Sequence, residues 1–120
     1  MDIDDIIIKP YVRMTQRGKY SSPQAKEYLT SKTYLQLKYR ESLVKNGYEM
    51  LPGQTPLRAV ITVTVPQAQG HRADLDNIIK ACLDAGNLVL YPDDRWIDRI
   101  DARRKIGAPK LILLLAALEV

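Results

Sequence analysis

Five side chains in the middle of the chain have the types and spacing needed to hold a metal ion and act on a phosphate. Asp74, Asp76 and Lys80 stand close together, and the pair Asp93-Asp94 follows after a short apolar stretch. Carboxylate oxygens suit Mg²⁺, whose octahedral shell also takes water and substrate phosphate oxygens. A metal ion held in this way activates water and neutralises phosphate charge, so these residues predict metal-assisted hydrolysis.

These acids depend on a helix that the pattern predicts to begin at Asp74. Apolar residues recur at helical spacing from Leu75 to Leu83, Asp74 suits the N-cap, and Gly86 suits the C-cap. Two carboxylates two positions apart diverge in mid-helix, but an N-cap residue is extended, so Asp74 and Asp76 can converge there. We expect the loop that carries Asp93-Asp94 to face this helix start.

Lys80 and Asp84 follow Asp76 at successive helical turns, opposite the apolar stripe. This spacing places Lys80 beside the carboxylates, where its charge assists hydrolysis, and predicts a weak surface ion pair between Lys80 and Asp84. Ordinary roles compete with the metal site. Asp74 alone is more often a helix cap, and Asp93-Asp94 after a proline is more often a turn.

The elements around these residues predict one small α/β domain over residues 1–120, with a mixed sheet and two main helices. A helix is predicted from Ser22-Pro23, an N-cap followed by proline, to Asn46-Gly47. Alternating apolar residues predict a strand from Leu57 to Val65. Further strands are predicted at Ile3 to Ile8, Trp96 to Lys105 and Leu111 to Leu118.

The charges favour a polyanionic partner. Net charge is +4, and the signs are segregated: residues 13–45 hold eight basic and two acidic side chains, whereas residues 46–94 hold three and six. Basic surface attracts phosphates, while clustered acids repel them unless a cation intervenes. Solvated surface charge is the competing explanation. The predicted DNA-binding residues are Arg13, Arg17, Lys19, Arg72, Arg103, Arg104 and Lys105.

Other features exclude several classes of protein. Because Cys82 is the single cysteine, an internal disulfide is excluded. Cys82 lies on the apolar stripe and is expected in the core. His71 is expected to be a solvated loop residue. No apolar run reaches the length of a membrane span, and no secretory signal pattern opens the chain. We therefore expect a soluble, cytoplasmic protein without membrane association.

The central motif resembles a known family. The string Arg72-Ala73-Asp74-Leu75-Asp76-Asn77-Ile78-Ile79-Lys80-Ala81, followed by Leu83-Asp84 and later by Asp93-Asp94, is similar to the R-x-D-L-D-N-x-x-K core of the RusA family of Holliday-junction resolvases. The similarity is strong over residues 70–104 and looser over residues 17–28.

The resemblance implies a small α/β homodimeric endonuclease of bacterial or phage origin that cuts branched, four-way DNA by paired symmetric nicks. It implies Mg²⁺, with Mn²⁺ as substitute and no other cofactor. The family's metal ligands fall on Asp74, Asp76 and Asp94, and its catalytic lysine on Lys80. Two other functions remain open: a catalytically silent branched-DNA-binding protein, and a metal-dependent nucleotide phosphohydrolase.

Overall fold

The structure, a computed structural model, describes residues 1–12 and 22–118. Four strands in the order β1-β4-β2-β3 form one mixed sheet, in which β2 and β3 are parallel and β4 is antiparallel to β1 and β2. The predicted α/β fold with a mixed sheet and two main helices is confirmed. The elements are β1 Asp2–Asp4, α1 Pro23–Asn46, β2 Leu57–Val65, α2 Leu75–Ala85, a 3-10 turn Asp94–Trp96, β3 Ile97–Ile106 and β4 Lys110–Ala117.

Strand β2 is central and organises the core. Its alternate residues from Leu57 to Val65 are buried, as the period-two pattern predicts, and both helices contribute side chains to the same core. Parallel neighbours need a crossover connection, which α2 supplies between β2 and β3. The order of strands leaves β3 at one edge of the sheet, with α2 nearby.

Local signals at the ends of α1 produce the predicted boundaries. The Ser22 hydroxyl accepts a hydrogen bond from the Ala25 N–H at 3.0 Å, and Pro23 is the first helical residue. Gly47 ends the helix in the left-handed conformation, with φ of +68°. No helix in the described part of the chain is long and apolar enough to cross a membrane.

The predicted strand from Ile3 to Ile8 is wrong in its extent, because β1 ends at Asp4. Asp5 has a φ of +54°, which breaks the extended path. Ile6 and Ile8 are still buried while Ile7 is exposed. The apolar run therefore predicts the burial of these residues correctly, although they lie outside β1. The two C-terminal strands are each displaced by one residue from their predicted starts.

Candidate active site

A cavity of about 640 Å³ lies between α2 and β3 and contains three of the predicted site residues. Asp76, Lys80 and Asp94 provide its charged groups, and the rest of its lining is apolar. The cavity lining does not include Asp74. The apolar lining residues are Leu75, Ile79, Leu83, Ile97, Ile100 and Ala102.

The start of α2 presents two exposed carboxylates. Asp74 is the N-cap residue, with φ −69° and ψ 139°, but its side chain makes no capping hydrogen bond. Asp76 lies in the first turn, where one oxygen accepts from the Asn77 N–H at 3.0 Å. The positive end of the helix dipole stabilises negative charge at both positions. The helix start is as predicted, while the simple capping role of the Asp74 side chain is absent.

The adjacent acids Asp93 and Asp94 have different surroundings. The Asp93 carboxylate accepts from the Arg95 N–H at 2.9 Å and so caps the 3-10 turn. Asp94 faces the cavity, and its own N–H donates to the Asn87 Oδ1 at 2.7 Å. Asp93 therefore has the turn role expected of an acid after proline, and Asp94 is the acid that enters the cavity.

Asp94 lies nearer the end of α2 than its start. Its anchor, Asn87, follows the last residue of α2, whereas Asp76 is in the first turn. The eight helical steps from Asp76 to Asp84, which lies one residue before the end of α2, rise by about 12 Å. The cavity thus extends along α2 with Lys80 between the two acids, and the expectation that the Asp93-Asp94 loop faces the helix start is wrong.

The oxygen donors suit a hard cation in an open site. Within residues 1–12 and 22–118, no group of three or more His, Cys, Asp or Glu side chains is close enough to hold a metal ion. Mg²⁺ commonly binds through one or two carboxylates, with water and substrate phosphate completing its shell. Each acid of this cavity fits that kind of site as a single protein ligand, with water and substrate oxygens supplying the rest of the shell.

The environment of Asp94 opposes its ionisation. Burial raises the pKa of the Asp94 carboxyl above its ordinary value, the carboxylates of Asp93 and Asp84 raise it further, and a hydrogen bond from Asn87 acts in the opposite direction. A cation in the cavity would relieve this penalty. Ionisation of Asp94 therefore destabilises the metal-free fold, whereas a metal ion binds the ionised carboxylate.

We predict that Asp94→Asn stabilises the metal-free protein at neutral pH. A carboxyl whose folded pKa is raised stabilises the fold below its unfolded pKa, near 3.8, and loses that contribution as pH rises through the folded value. The difference in Tm between variant and wild type in EDTA should therefore grow with pH across this window. Solvent screening keeps the effect small, since Asp94 is half-exposed. A pH-independent difference would contradict it.

Lys80 and Asp84 do not form the predicted ion pair. The Lys80 ammonium lies 4.2 Å from the centroid of the Tyr11 ring, a cation–π contact on the N-terminal segment. Asp84 instead lies 3.1 Å from the Lys32 ammonium and accepts a hydrogen bond from the Tyr28 hydroxyl. The prediction was wrong because α1 packs against α2 and supplies closer partners. Lys80 is left facing the cavity.

The four predicted DNA-binding residues that the structure describes do not form one surface. Arg104 pairs with Val63 on the helix-covered face of the sheet and donates to the Ala73 carbonyl at 2.6 Å, so it braces the loop before α2. Arg103 and Lys105 alternate with it and point to the uncovered face. Arg72 is exposed just before α2. Three predicted DNA-binding residues, Arg13, Arg17 and Lys19, lie outside the described residues.

Two other expectations concern residues beside the site. Cys82 is fully buried, and burial raises the pKa of its thiol to about 12, so its assignment to the core is confirmed. His71 is exposed in the loop before α2, as expected. Sequence reasoning missed Asn87 and Tyr28, which contact site residues only through the tertiary fold. The local sequence holds no signal for either contact.

The structure combines two acids and a lysine in one cavity between α2 and the edge strand β3 of a small α/β domain. Residues 9–114 match the family model described as Endodeoxyribonuclease RusA. The match covers most of the 120 residues, including both helices and the whole cavity, and the chain therefore belongs to the RusA endodeoxyribonuclease family. The resemblance of the central motif is confirmed. No curated relative matches the chain.

Proposed function

We propose that this protein is a metal-dependent endodeoxyribonuclease that resolves four-way DNA junctions in recombination and repair. It acts as a homodimer with Mg²⁺, for which Mn²⁺ can substitute, and makes paired symmetric nicks. The observation that carries the proposal is the presence of Asp76, Lys80 and Asp94 in one cavity of a RusA-family chain. Two symmetric cuts need two symmetric sites, which a twofold dimer provides.

In this proposal the metal ligands are Asp74 and Asp76 at the start of α2 and Asp94 near its end, which do not form one group of three acids, so water and phosphate oxygens of the DNA supply the rest of the coordination. The chemistry that a bound ion would supply here is acidification of the attacking water and neutralisation of charge on the scissile phosphate. Lys80 adds positive charge between the acids and orients the water. The water oxygen would bond to phosphorus as the bond to the leaving sugar oxygen breaks, the water would release a proton to solvent, and the leaving oxygen would take up a proton. Arg72, exposed just before α2, contacts the DNA backbone, and Arg13, Arg17 and Lys19, which lie outside the described residues, are proposed as further DNA contacts.

Arg103 and Lys105 extend the proposed DNA contacts to the uncovered sheet face. Arg58 and Arg99 on that face both lie close to Asp101, at 2.9 Å and 3.4 Å. Neither Arg103 nor Lys105 has such an ion pair within the described residues. Their charges are therefore available to phosphates, whereas the Arg104 side chain is engaged in holding the loop before α2.

A synthetic four-way junction and a linear duplex of equal length, each incubated with Mg²⁺ or with EDTA, test the proposal. We expect paired, symmetric nicks in the junction only with Mg²⁺, and little cleavage of the duplex. Junction binding without metal-dependent cleavage would instead identify a silent branched-DNA-binding protein. Hydrolysis of nucleotides without cleavage of DNA would identify a phosphohydrolase, and weak salt dependence of DNA binding would agree with that outcome.

Lys80→Ala should lower junction turnover by roughly a hundredfold, the scale of one positioned catalytic side chain. Tm should change little, since Lys80 is exposed and its contact with the Tyr11 ring is worth only about 1 kcal/mol. Lys38→Ala is the matched control, because Lys38 also stands over a tyrosine ring, that of Tyr34, outside the cavity. Equal turnover in both variants, or a large loss of Tm in Lys80→Ala, contradicts a catalytic role.

A further inference from the structure

Asn87 has a side chain whose two ends face different partners. Its Oδ1 accepts from the Asp94 N–H at 2.7 Å, and its Nδ2 donates to the Asp84 Oδ1 at 3.5 Å. An amide nitrogen can only donate and an ionised carboxylate can only accept, so these neighbours determine the orientation of the Asn87 amide. Asn87 thus connects the end of α2 to the residue that begins the 3-10 turn.

Asp84 is itself held from α1. The Tyr28 hydroxyl donates to one carboxylate oxygen, and the Lys32 ammonium lies 3.1 Å from the same oxygen. Tyr28 is buried and Lys32 is partly buried, so these contacts lie within the interface between the two helices. The chain of contacts runs from α1 through Asp84 and Asn87 to Asp94.

The hydrogen bond to Asn87 matters for the position of Asp94, because Asp94 lies outside the strands of the sheet. It begins a single 3-10 turn that precedes β3, and the register of β3 with β2 starts only at Ile97. The loop is bound at its other side by the bridge between Asn87 and Tyr91. The hydrogen bond from the Asp94 N–H therefore sets where its side chain enters the cavity.

We propose that Asn87, supported by Asp84, is a positioning residue that holds Asp94 in the metal-binding cavity. This inference rests on the proposed function, since it assigns Asn87 to the support of a proposed metal ligand. Partners that orient ligands from outside the coordination shell commonly change metal affinity by about 10- to 100-fold when they are lost. Asn87 does not itself contact the DNA or the metal ion in this proposal.

The first measurement is Mn²⁺ affinity, taken from the electron paramagnetic resonance signal of free Mn²⁺ in titrations of the whole protein. Asn87→Ala should weaken binding by about 10- to 100-fold, while junction affinity in EDTA stays unchanged. Asn46→Ala is the control, because Asn46 also lies at the C-terminal end of a helix, as the last residue of α1, and hydrogen-bonds through its amide, but only to Ser42. Its Mn²⁺ affinity should equal that of wild type.

The second measurement is hydrogen exchange at the Asp94 amide, which reports the hydrogen bond directly, even in the wild type alone. We expect slow exchange in the metal-free wild type, faster exchange in Asn87→Ala, and exchange in Asn46→Ala that equals that of wild type. Rapid exchange in wild type overturns the proposal even if Asn87→Ala does not fold. The exchanged pair Asp84→Asn with Asn87→Asp restores a donor and an acceptor at unchanged net charge, and it should recover slow exchange at the Asp94 amide.

The outcomes separate the two proposals. If the wild-type protein binds Mn²⁺ and cuts junctions, and Asn87→Ala does both equally well, the proposed role of Asn87 is wrong and the nuclease function still stands. Failure of the exchanged pair to recover overturns the support by Asp84. Wild-type protein that neither binds Mn²⁺ nor cuts DNA overturns the proposed function and the role of Asn87 with it.

Discussion

Asp76→Asn should abolish metal-dependent cleavage of a four-way junction while leaving junction binding equal to or tighter than that of wild type. An asparagine keeps the shape of the side chain but removes the charge that holds the cation. Metal assistance is worth several kcal/mol, so turnover should fall by at least about 10³-fold. DNA binding survives because the variant has one carboxylate fewer and therefore repels the DNA phosphates less. Single-turnover cleavage with Mg²⁺ and junction affinity in EDTA measure the two effects.

Asp98→Asn is the control for this variant. Asp98 is an exposed carboxylate on β3 that does not line the cavity, so its removal changes net charge equally without touching the site. Its cleavage rate should stay close to that of wild type. Near-normal cleavage by Asp76→Asn would contradict the assignment of Asp76 as a metal ligand. Loss of DNA binding in Asp76→Asn would assign the residue to substrate contact instead.

Gly86→Ala should cause a large loss of stability, although this glycine ends a helix without a positive φ. A methyl group at Gly86 would lie 2.5 Å from the Tyr91 hydroxyl oxygen and 2.7 Å from its Cζ. Tyr91 cannot move away freely, because it is fully buried and its hydroxyl donates to the Leu83 carbonyl. Overpacking of this kind costs about 1–3 kcal/mol, seen as a fall in Tm of roughly 4 °C per kcal/mol.

Gly47→Ala provides a matched comparison at the end of the other helix. Gly47 has a φ of +68° and open space around its Cα, so alanine there meets backbone strain of about 1 kcal/mol without a clash. Gly86→Ala should also weaken Mn²⁺ binding, because Tyr91 leads directly into the segment that carries Asp94, whereas Gly47→Ala should not. A higher Tm for Gly86→Ala than for Gly47→Ala would contradict the packing explanation.

Elements whose signals lie within one stretch of the chain could be predicted from the amino-acid sequence. Alternating burial along Leu57 to Val65, the serine cap and proline at the start of α1, and the apolar stripe of α2 each involve residues within one element. Such patterns can be read without knowing what packs against them. The central motif was equally local, since it extends over one loop and one helix, and it indicated the family that the match over residues 9–114 confirms.

The contacts between side chains of different elements could not be predicted from the sequence, because they depend on how those elements pack. Asp84 binds Tyr28 and Lys32 on α1 rather than Lys80, although Lys80 and Asp84 are spaced four residues apart, as in a helical ion pair. Asp94 enters the cavity near the end of α2, and Arg104 separates from its neighbours because adjacent residues of a strand face opposite ways. These outcomes depend on contacts between residues tens of positions apart. The packing of helices and strands determines such contacts, and no spacing within one element contains that information.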